Sequence, residues 1–380
     1  MTIGIDVSRA FKTEKTGTEW YSYELVKALI ALDHETKYRL YGSTPLPKNS
    51  WNLPDNADYR YLRWPSKQLW TQGRLSWEMM RTPPELLFVP SHAVPLIHPK
   101  KTLTTIHDVG FLHWQEAYAH KEWQYLDWST RYAVRHCPKI ITISEFSKKE
   151  LMRSYGATDE QVVVTHLGYD QARYVPPMDR VIVQQEVAQT GKMQKPYVLV
   201  LGRLDRRKNP VAALKTFEEL HQKYPDLSLI FVGPKGYCGE QIMGMIKSSP
   251  AAKAITMLGW VSEEEKVRLL QGAEMLLFPS LYEGFGLPVI EAQACGVPVA
   301  CSNAAALPEI AGDGAILFDP ENIAEIVQAV EKILADESLR QDLIVKGLQN
   351  AQRFSWEQCA RETSVVLQDM AKGDKTRQTV

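Results

Sequence analysis

Met275-Leu-Leu-Phe278-Pro-Ser-Leu-Tyr-Glu283-Gly284-Phe285-Gly286-Leu287-Pro288-Val-Ile-Glu291-Ala292 carries three structural instructions in one run. The apolar stretch ending near Pro279 is short and continuous, as in a strand buried on both faces. Gly284 and Gly286 then give a loop whose backbone can approach a ligand closely. Pro288 is tolerated only in the first turn of a helix, so it marks a helix start. Strand, glycine loop and helix form the repeating unit of a parallel sheet covered by helices. A helix start offers unpaired N–H groups and the positive end of a dipole, the usual seat for an anion. Glu291 reads as lying in that first turn, and Glu283 on the loop before it. The two carboxylates can frame one ligand by accepting hydrogen bonds from hydroxyl groups, in which sugars and ribose are rich. The plainer reading of Glu291 is dipole compensation at a helix start.

The same alternation extends in both directions. Upstream, strands are expected near 2–7, 37–42, 86–90, 102–106, 139–143 and 161–166. Tyr21, Leu25, Leu29 and Leu32 recur at helical spacing after the first of these. A second series runs near 197–202, 227–232, 254–258, 275–279, 297–301 and 315–318. Between them, 170–196 holds Pro176-Pro177 and a polar, Gln-rich stretch, as expected of a segment crossing between domains. The fold class is therefore α/β, with two Rossmann-like doubly wound parallel-sheet domains. The expected boundaries are 1–175 and 190–354, with a last helix at about 355–372. Ligands bind beyond the carboxyl ends of such strands, so two units facing across a cleft suit a two-substrate transferase.

Three further segments carry chemistry. Tyr197-Val-Leu-Val-Leu-Gly202-Arg203-Leu-Asp-Arg-Arg-Lys208-Asn-Pro210 places clustered cations at a strand end. Arg203 offers a planar fork and Lys208 a point charge for a diphosphate, stabilising the charge that grows on a departing phosphate. Thr104-Thr105-Ile106-His107-Asp108 ends another strand with a His-Asp pair. Arg9 and Lys12 precede Thr16-Gly17-Thr18 and an amphipathic helix, where Thr16 also reads as a simple cap. Ser262-Glu-Glu-Glu265 is a capping box, a structural device.

Composition narrows the alternatives. The 380 residues carry a formal net charge of −1, which argues against nucleic acid as the main partner. Residues 1–180 hold 23 Lys+Arg against 20 Asp+Glu, so the first half is the basic one. The five cysteines, Cys137, Cys238, Cys295, Cys301 and Cys359, show neither C-x-x-C nor zinc spacing, which fits buried free thiols in a reducing compartment. No basic and then apolar leader opens the sequence, and no apolar run approaches a membrane span, so a cytoplasmic protein is expected. Residues 60–101 carry seven Lys/Arg against two Asp/Glu, interleaved with Trp64, Trp70 and Trp77. That pattern fits either peripheral contact with an anionic membrane surface, at the inner face of the plasma membrane, or aromatics that pack the first domain or line the acceptor cleft.

Glu283 to Glu291 resembles the E-x7-E motif of retaining glycosyltransferases of the GT-B fold, and Glu-Gly-Phe-Gly-Leu-Pro looks like the large family four. The resemblance implies that Glu283 contacts the donor sugar, with the Gly284, Phe285, Gly286 and Leu287 backbone against it, and that Glu291 binds ribose hydroxyls. Arg203 and Lys208 are similar to the family's G-R-x(4)-K phosphate site. His107 matches the histidine that reaches the donor sugar or transferring centre, Gly17 the loop near the donor phosphates and the acceptor, and Val261, in Gly259-Trp260-Val261, the loop bordering the base. Ile143-Ser-Glu-Phe-Ser147 and Phe354-Ser-Trp356, the latter opening a helix that crosses back to the first domain, extend the resemblance along nearly the whole chain. The function it implies is retaining transfer of a hexose from GDP-mannose or a UDP-hexose to a hydroxyl of a glycan, glycolipid or small-molecule acceptor, in cell-surface polysaccharide synthesis. No cofactor and no metal are expected, because the Asp-x-Asp of the other major glycosyltransferase fold is missing. A sugar-nucleotide epimerase and a non-catalytic nucleotide-sugar-binding protein are the rival readings.

Overall fold

The computed structural model describes residues 1–12, 15–48, 50–65, 69–189, 196–236 and 239–372. Cys238, Lys67 of the basic stretch and residues 190–195 of the crossing segment lie outside them. The chain divides into two compact units, Met1–Gly168 with Ser355–Val380, and Tyr169–Phe354. The segment after Gly168 thus packs with the second unit, and it carries a helix of its own.

The first unit is built on β1 (Thr2–Asp6), β2 (Lys37–Gly42), β3 (Ala57–Tyr61), β4 (Leu86–Val89), β5 (Thr102–Thr105), β6 (Lys139–Thr142) and β7 (Val162–Val164). All pair in parallel, in the order β3-β2-β1-β4-β5-β6-β7. The order reverses between β1 and β4, the switch point where such sheets open a crevice. Helices α1 (Gly17–Leu32), α2 (Ser76–Arg81), α3 (His120–His136) and α4 (Glu145–Tyr155) connect the strands. Tyr21, Leu25 and Leu29 of α1 are fully buried, as their spacing requires, while Leu32 is exposed.

β3 is the strand that periodicity did not reveal. It reads Ala-Asp-Tyr-Arg-Tyr and is mostly half-exposed at the sheet edge, so no apolar run marks it. Its stability comes from five parallel register pairs with β2, which a linear sequence does not display.

The second unit opens with α5 (Arg180–Gln189), where a polar connector had been expected. Its sheet contains β8 (Tyr197–Leu201), β9 (Ser228–Val232), β10 (Ile255–Gly259), β11 (Met275–Phe278), β12 (Val299–Ser302) and β13 (Ala315–Phe318). The order is β10-β9-β8-β11-β12-β13, again parallel, with the switch between β8 and β11. Around it lie α6 (Pro210–Lys223), α7 (Gly239–Ser248), α8 (Glu263–Gly272), α9 (Leu287–Ala294), α10 (Leu307–Ala311), α11 (Ile323–Ala335) and α12 (Glu337–Ala351). Phe217, Phe231, Leu229 and Leu277 are at the heart of its core.

Helix α13 (Trp356–Lys372) then rejoins the first unit. Trp356 packs near Tyr21 of α1, with ring centroids 6.3 Å apart, and the Cys359 thiol lies 3.9 Å from the Thr165 hydroxyl. Cys137, Cys295, Cys301 and Cys359 are buried free thiols. Burial pushes Cys137, Cys301 and Cys359 up to about 12, so they stay protonated and act as small apolar residues. Among the described residues, no helix is long and apolar enough to cross a membrane.

Candidate functional site

The second unit gathers its polar groups at its switch point. β8 ends at Leu201, and Gly202 leaves it with φ 143°. The neighbouring chain at Gly233, φ 146°, runs so close that a Cβ there would sit 2.0 Å from the Gly202 carbonyl oxygen. Any side chain at Gly233 would push the β8 exit out of place. The Lys208 stem lies over Gly202, within 3.3 Å of where a Cβ would be. Asp205 caps the short turn Arg206–Lys208 through the Lys208 N–H. Asn209, at φ 51°, then caps α6 through Ala212 N–H.

From the other side of the switch, β11 delivers Glu283. Its carboxylate is buried and receives the Lys208 ammonium directly, with the Arg207 guanidinium 3.9 Å away. Burial alone would raise the Glu283 carboxyl, but the Lys208 and Arg207 charges outweigh it and hold it below the usual carboxylate range. Lys208 moves the other way: desolvation lowers its ammonium below the usual lysine value, against the pull of Glu283. Arg207 also donates to the Tyr282 carbonyl at 3.3 Å, which ties the cation turn to the glycine loop. Arg203 is exposed, and its guanidinium makes no ion pair or hydrogen bond among the described residues.

The loop ends at Gly286, whose φ of 108° is the N-cap of α9, and Pro288 falls in the first turn. A Cβ at Gly286 would meet Leu307 Cδ2 at 2.6 Å. The N–H groups of Gly286 and Leu287 carry no hydrogen bond among the described residues, because no side chain caps this end and Glu283 O is taken by Ala306 N–H at 3.2 Å. The helix therefore presents free donors beside two cations, a geometry that fits an oxyanion.

Glu291 differs from its expected place. It is the fifth residue of α9, past the first turn, so it does not compensate the helix dipole. Lys266 holds it at 3.0 Å and reaches Glu263 at 3.1 Å, while Tyr174 OH donates to Glu263 at 2.7 Å. Burial would lower Lys266, but Glu291 and Glu263 raise it above its usual value. Ser262 caps α8 as read, accepting from Glu265 N–H at 3.1 Å. Val261 lies on the loop between β10 and α8, beside exposed Trp260.

In the first unit, His107 follows β5 and is half-buried, with the Tyr21 ring edge-on at 4.7 Å. Its Nε2 contacts the Pro90 carbonyl at 3.4 Å. Asp108 does not orient it, since that carboxylate accepts from Gly110 N–H at 2.8 Å. Desolvation lowers the His107 imidazole to about 4, against the nearby Asp108 charge, so the ring is neutral at physiological pH. Gly17 is the first residue of α1 and exposed, with Thr16 as N-cap. Glu19, three residues later, is buried and accepts from Arg9 at 3.1 Å, Lys12 at 3.0 Å and Thr16 N–H at 3.1 Å. Burial opposes its charge, yet the Thr16 hydroxyl and Lys12 hold the carboxyl at about 2. Arg9 and Lys12 are thereby fixed at the exit of β1.

Arg207, Lys266 and Glu19 are participants that the sequence reading did not single out. Arg207 was inside the quoted cation run. Glu19 stands at the third helical position, where a capping partner belongs. Lys266 had no such signal, because its partner Glu291 is twenty-five residues away.

Residues 15–173 match the model described as Glycosyltransferase Family 4, and residues 183–349 the model described as Glycosyl transferases group 1. Among relatives, the chain is similar to the O-antigen chain mannosyltransferase B of Escherichia coli, 29% identical over 94% of this chain and 97% of that one. It is also 25% identical, over 80% of its length and 70% of the other, to D-inositol 3-phosphate glycosyltransferase of Corynebacterium diphtheriae. Its fold matches sucrose-phosphate synthase from Thermosynechococcus elongatus, TM-score 0.76 at 19% identity, covering 98% of this chain and 99% of the other. Anabaena HepE, solved in complex with UDP and glucose, has TM-score 0.72 at 15% identity, with 97% and 99% covered.

Proposed function

This chain belongs to the group 1, family 4 glycosyltransferases, and from that premise we propose that it transfers a hexose from a nucleoside-diphosphate donor to an acceptor hydroxyl, without a metal and with retained anomeric configuration. The carrying observation is the buried Glu283–Lys208 pair beside the free N–H groups of α9 and the uncommitted Arg203. Lys208 and Arg203 neutralise the diphosphate, with Gly286 and Leu287 N–H as fixed donors. Glu283 accepts from hydroxyls of the donor sugar, and Glu291 from the ribose, once Lys208 and Lys266 share their charge with the ligand. Gly284 and Phe285 supply backbone against the sugar, and Val261 borders the base.

In the reaction the bond from the anomeric carbon to the diphosphate oxygen breaks. A bond from the acceptor oxygen forms on the same face, and the acceptor proton passes to the departing phosphate. Charge grows on that phosphate, so Lys208 and Arg203 stabilise the transition state more than the ground state. Neutral His107 serves as a hydrogen-bonding partner for sugar, with Gly17 and the Arg9–Lys12 corner at the next loop.

A mannosyl donor, GDP-mannose, ranks ahead of UDP-hexoses, because the relative named above is a mannosyltransferase, and that same name supports a glycan acceptor in polysaccharide synthesis. A hydrolysis panel of nucleotide sugars tests the reading. Sugar release from one donor, lost in Glu283→Gln, is the expected result; conversion of the donor into an epimer without any transfer product would contradict it.

We propose further that the first unit contacts an anionic membrane at the cytoplasmic side, and an exposed aromatic and basic face supports this. Trp77 is exposed between Arg74 and Arg81, at 4.9 and 4.7 Å from the two guanidinium carbons, with Met80, Leu96, Ile97 and Trp128 also exposed. Gln72 binds the Val94 carbonyl and Leu96 N–H, each at 3.0 Å, which ties these segments together. Sedimentation with phosphatidylglycerol vesicles at low salt, weakened in Arg81→Glu, is expected; no binding to them would refute the contact.

A further inference from the structure

The exit of β4 holds a second histidine that the reaction as described leaves unused. Pro90, Ser91 and His92 follow β4 at the switch point of the first sheet, where a crevice opens beside β1. His92 is one of four non-glycine residues with positive φ among those described, at 39°. Strained backbone of this kind persists where the surroundings over-determine it, and it clusters at functional sites. Here both the backbone and the ring are fixed. The His92 N–H donates to the Thr105 carbonyl at 2.9 Å, two residues before His107. The Pro90 carbonyl, two residues before His92, takes the His107 ring. The exits of β4 and β5 therefore hold each other's histidine.

The hydrogen-bond network assigns the tautomer of His92. Thr130 Oγ1 donates to the Leu126 carbonyl at 2.8 Å, so its only hydrogen is spent. The contact from His92 Nε2 to that oxygen, 2.8 Å, must then be a donation by an Nε2–H. Nδ1 is left as a bare lone pair. It carries no hydrogen bond among the described residues, and His92 is half-buried, not sealed in the core. The Phe111 ring stands edge-on to the imidazole, with centroids 6.0 Å apart, while the Nε2–H bond to Thr130 holds the ring in place. Burial first, then the neighbouring His107 and Arg9, oppose protonation and lower His92 to about 3, so the lone pair stays available at neutral pH.

A fixed, uncharged acceptor repels anions and calls for an O–H or N–H donor. A metal ion would need more ligands than two imidazoles, and no group of three His, Cys, Asp or Glu gathers for one among the described residues. Resting on the glycosyl-transfer reading, we propose that His92 is an acceptor-binding residue, whose Nδ1 receives a hydrogen bond from a hydroxyl of the acceptor sugar. Its fixed ring selects the orientation of that hydroxyl, which a mobile side chain would not do.

The test uses the full-length enzyme, the nucleotide sugar that it hydrolyses, and methyl α-mannoside as the acceptor probe. In His92→Leu the partition between transfer and donor hydrolysis shifts at least tenfold toward hydrolysis, through a raised KM for the glycoside. In His92→Asn the left-handed backbone is tolerated and an amide oxygen replaces the lone pair, so most of the transfer returns. Transfer and hydrolysis falling in parallel, or an unchanged partition, overturns the proposal. Nitrogen NMR of histidine-labelled wild-type protein gives an independent reading. The His92 Nδ1 resonance, identified by its absence in His92→Asn, shifts on adding methyl α-mannoside; a resonance that does not move overturns the assignment. A wild-type protein that releases sugar from no donor sinks the glycosyl-transfer reading alone, because the NMR titration still reports on His92.

Discussion

Replacing Lys208 probes structure and chemistry at one atom. Its side chain is 16% exposed and that of Glu283 9%, and the ammonium also lies 5.2 Å from the centroid of the Phe278 ring. Lys208→Met keeps the stem over Gly202 and removes only the charge, leaving Glu283 buried with Arg207 at 3.9 Å. Removing one member of a buried pair costs about 3–5 kcal/mol, because the other charge is left uncompensated; the remote Arg207 puts this case near the lower end. The Glu283 carboxyl then rises toward and past its ordinary value, as its dominant opposing charge is gone. The chemical loss is separate: without one cation on the leaving phosphate, the rate falls by about 10²–10³. Urea unfolding followed by circular dichroism reads the first effect, and donor hydrolysis reads the second. The double variant Lys208→Met with Glu283→Gln buries no net charge, so stability returns to within about 1 kcal/mol of wild type while activity stays lost. A double variant as unstable as the two single losses added together would refute the pairing argument, and an unchanged rate in Lys208→Met would refute the phosphate role.

Arg203 gives the converse case. It is exposed and uncommitted, so Arg203→Ala leaves the unfolding midpoint within about 0.5 kcal/mol of wild type while donor turnover falls at least tenfold; a stability loss comparable to that of Lys208→Met contradicts this placement. Acid acts on the first unit through His92 and His107. Their folded values, about 3 and about 4, lie below the ordinary 6.5, so the unfolded chain takes up protons that the folded chain refuses as pH falls below 6.5. Stability is full above that point and declines toward pH 4, by about 2 kcal/mol per histidine at pH 5. Denaturant titrations at pH 7 and pH 5 check this, with His107→Asn expected to remove about half of the decline; a pH-independent difference between the two proteins contradicts it.

The polar groups gathered at the switch point of the second sheet were legible in the sequence, since their signals are local. Glu283, Gly286 and Pro288 lie within six residues, and glycine, proline and strand ends announce the backbone they need. Arg203 and Lys208 were legible for the same reason. What escaped was settled by tertiary pairing. Lys266 meets Glu291 only after α8 packs by α9, and β3 exists because β2 pairs with its mixed polar sequence. Placing Glu291 in the first turn assumed that the helix begins near Pro288; α9 starts one residue earlier, at Leu287, so Glu291 falls in the second turn. His92 follows the same strand-exit rule that marked His107, but its positive φ and its bond to Thr130 are invisible in a linear sequence.

Metal-free transfer with retention is the reaction proposed for the site built around Glu283, Lys208 and Arg203. Its most direct test is the anomeric configuration of the product, read by NMR from the one-bond carbon–hydrogen coupling, after incubation of an α-configured nucleotide sugar with methyl α-mannoside in excess EDTA. The expected product is an α-glycoside, formed at the same rate with and without the chelator. A β-glycoside, or a rate that collapses in EDTA and returns with a divalent ion, would contradict it.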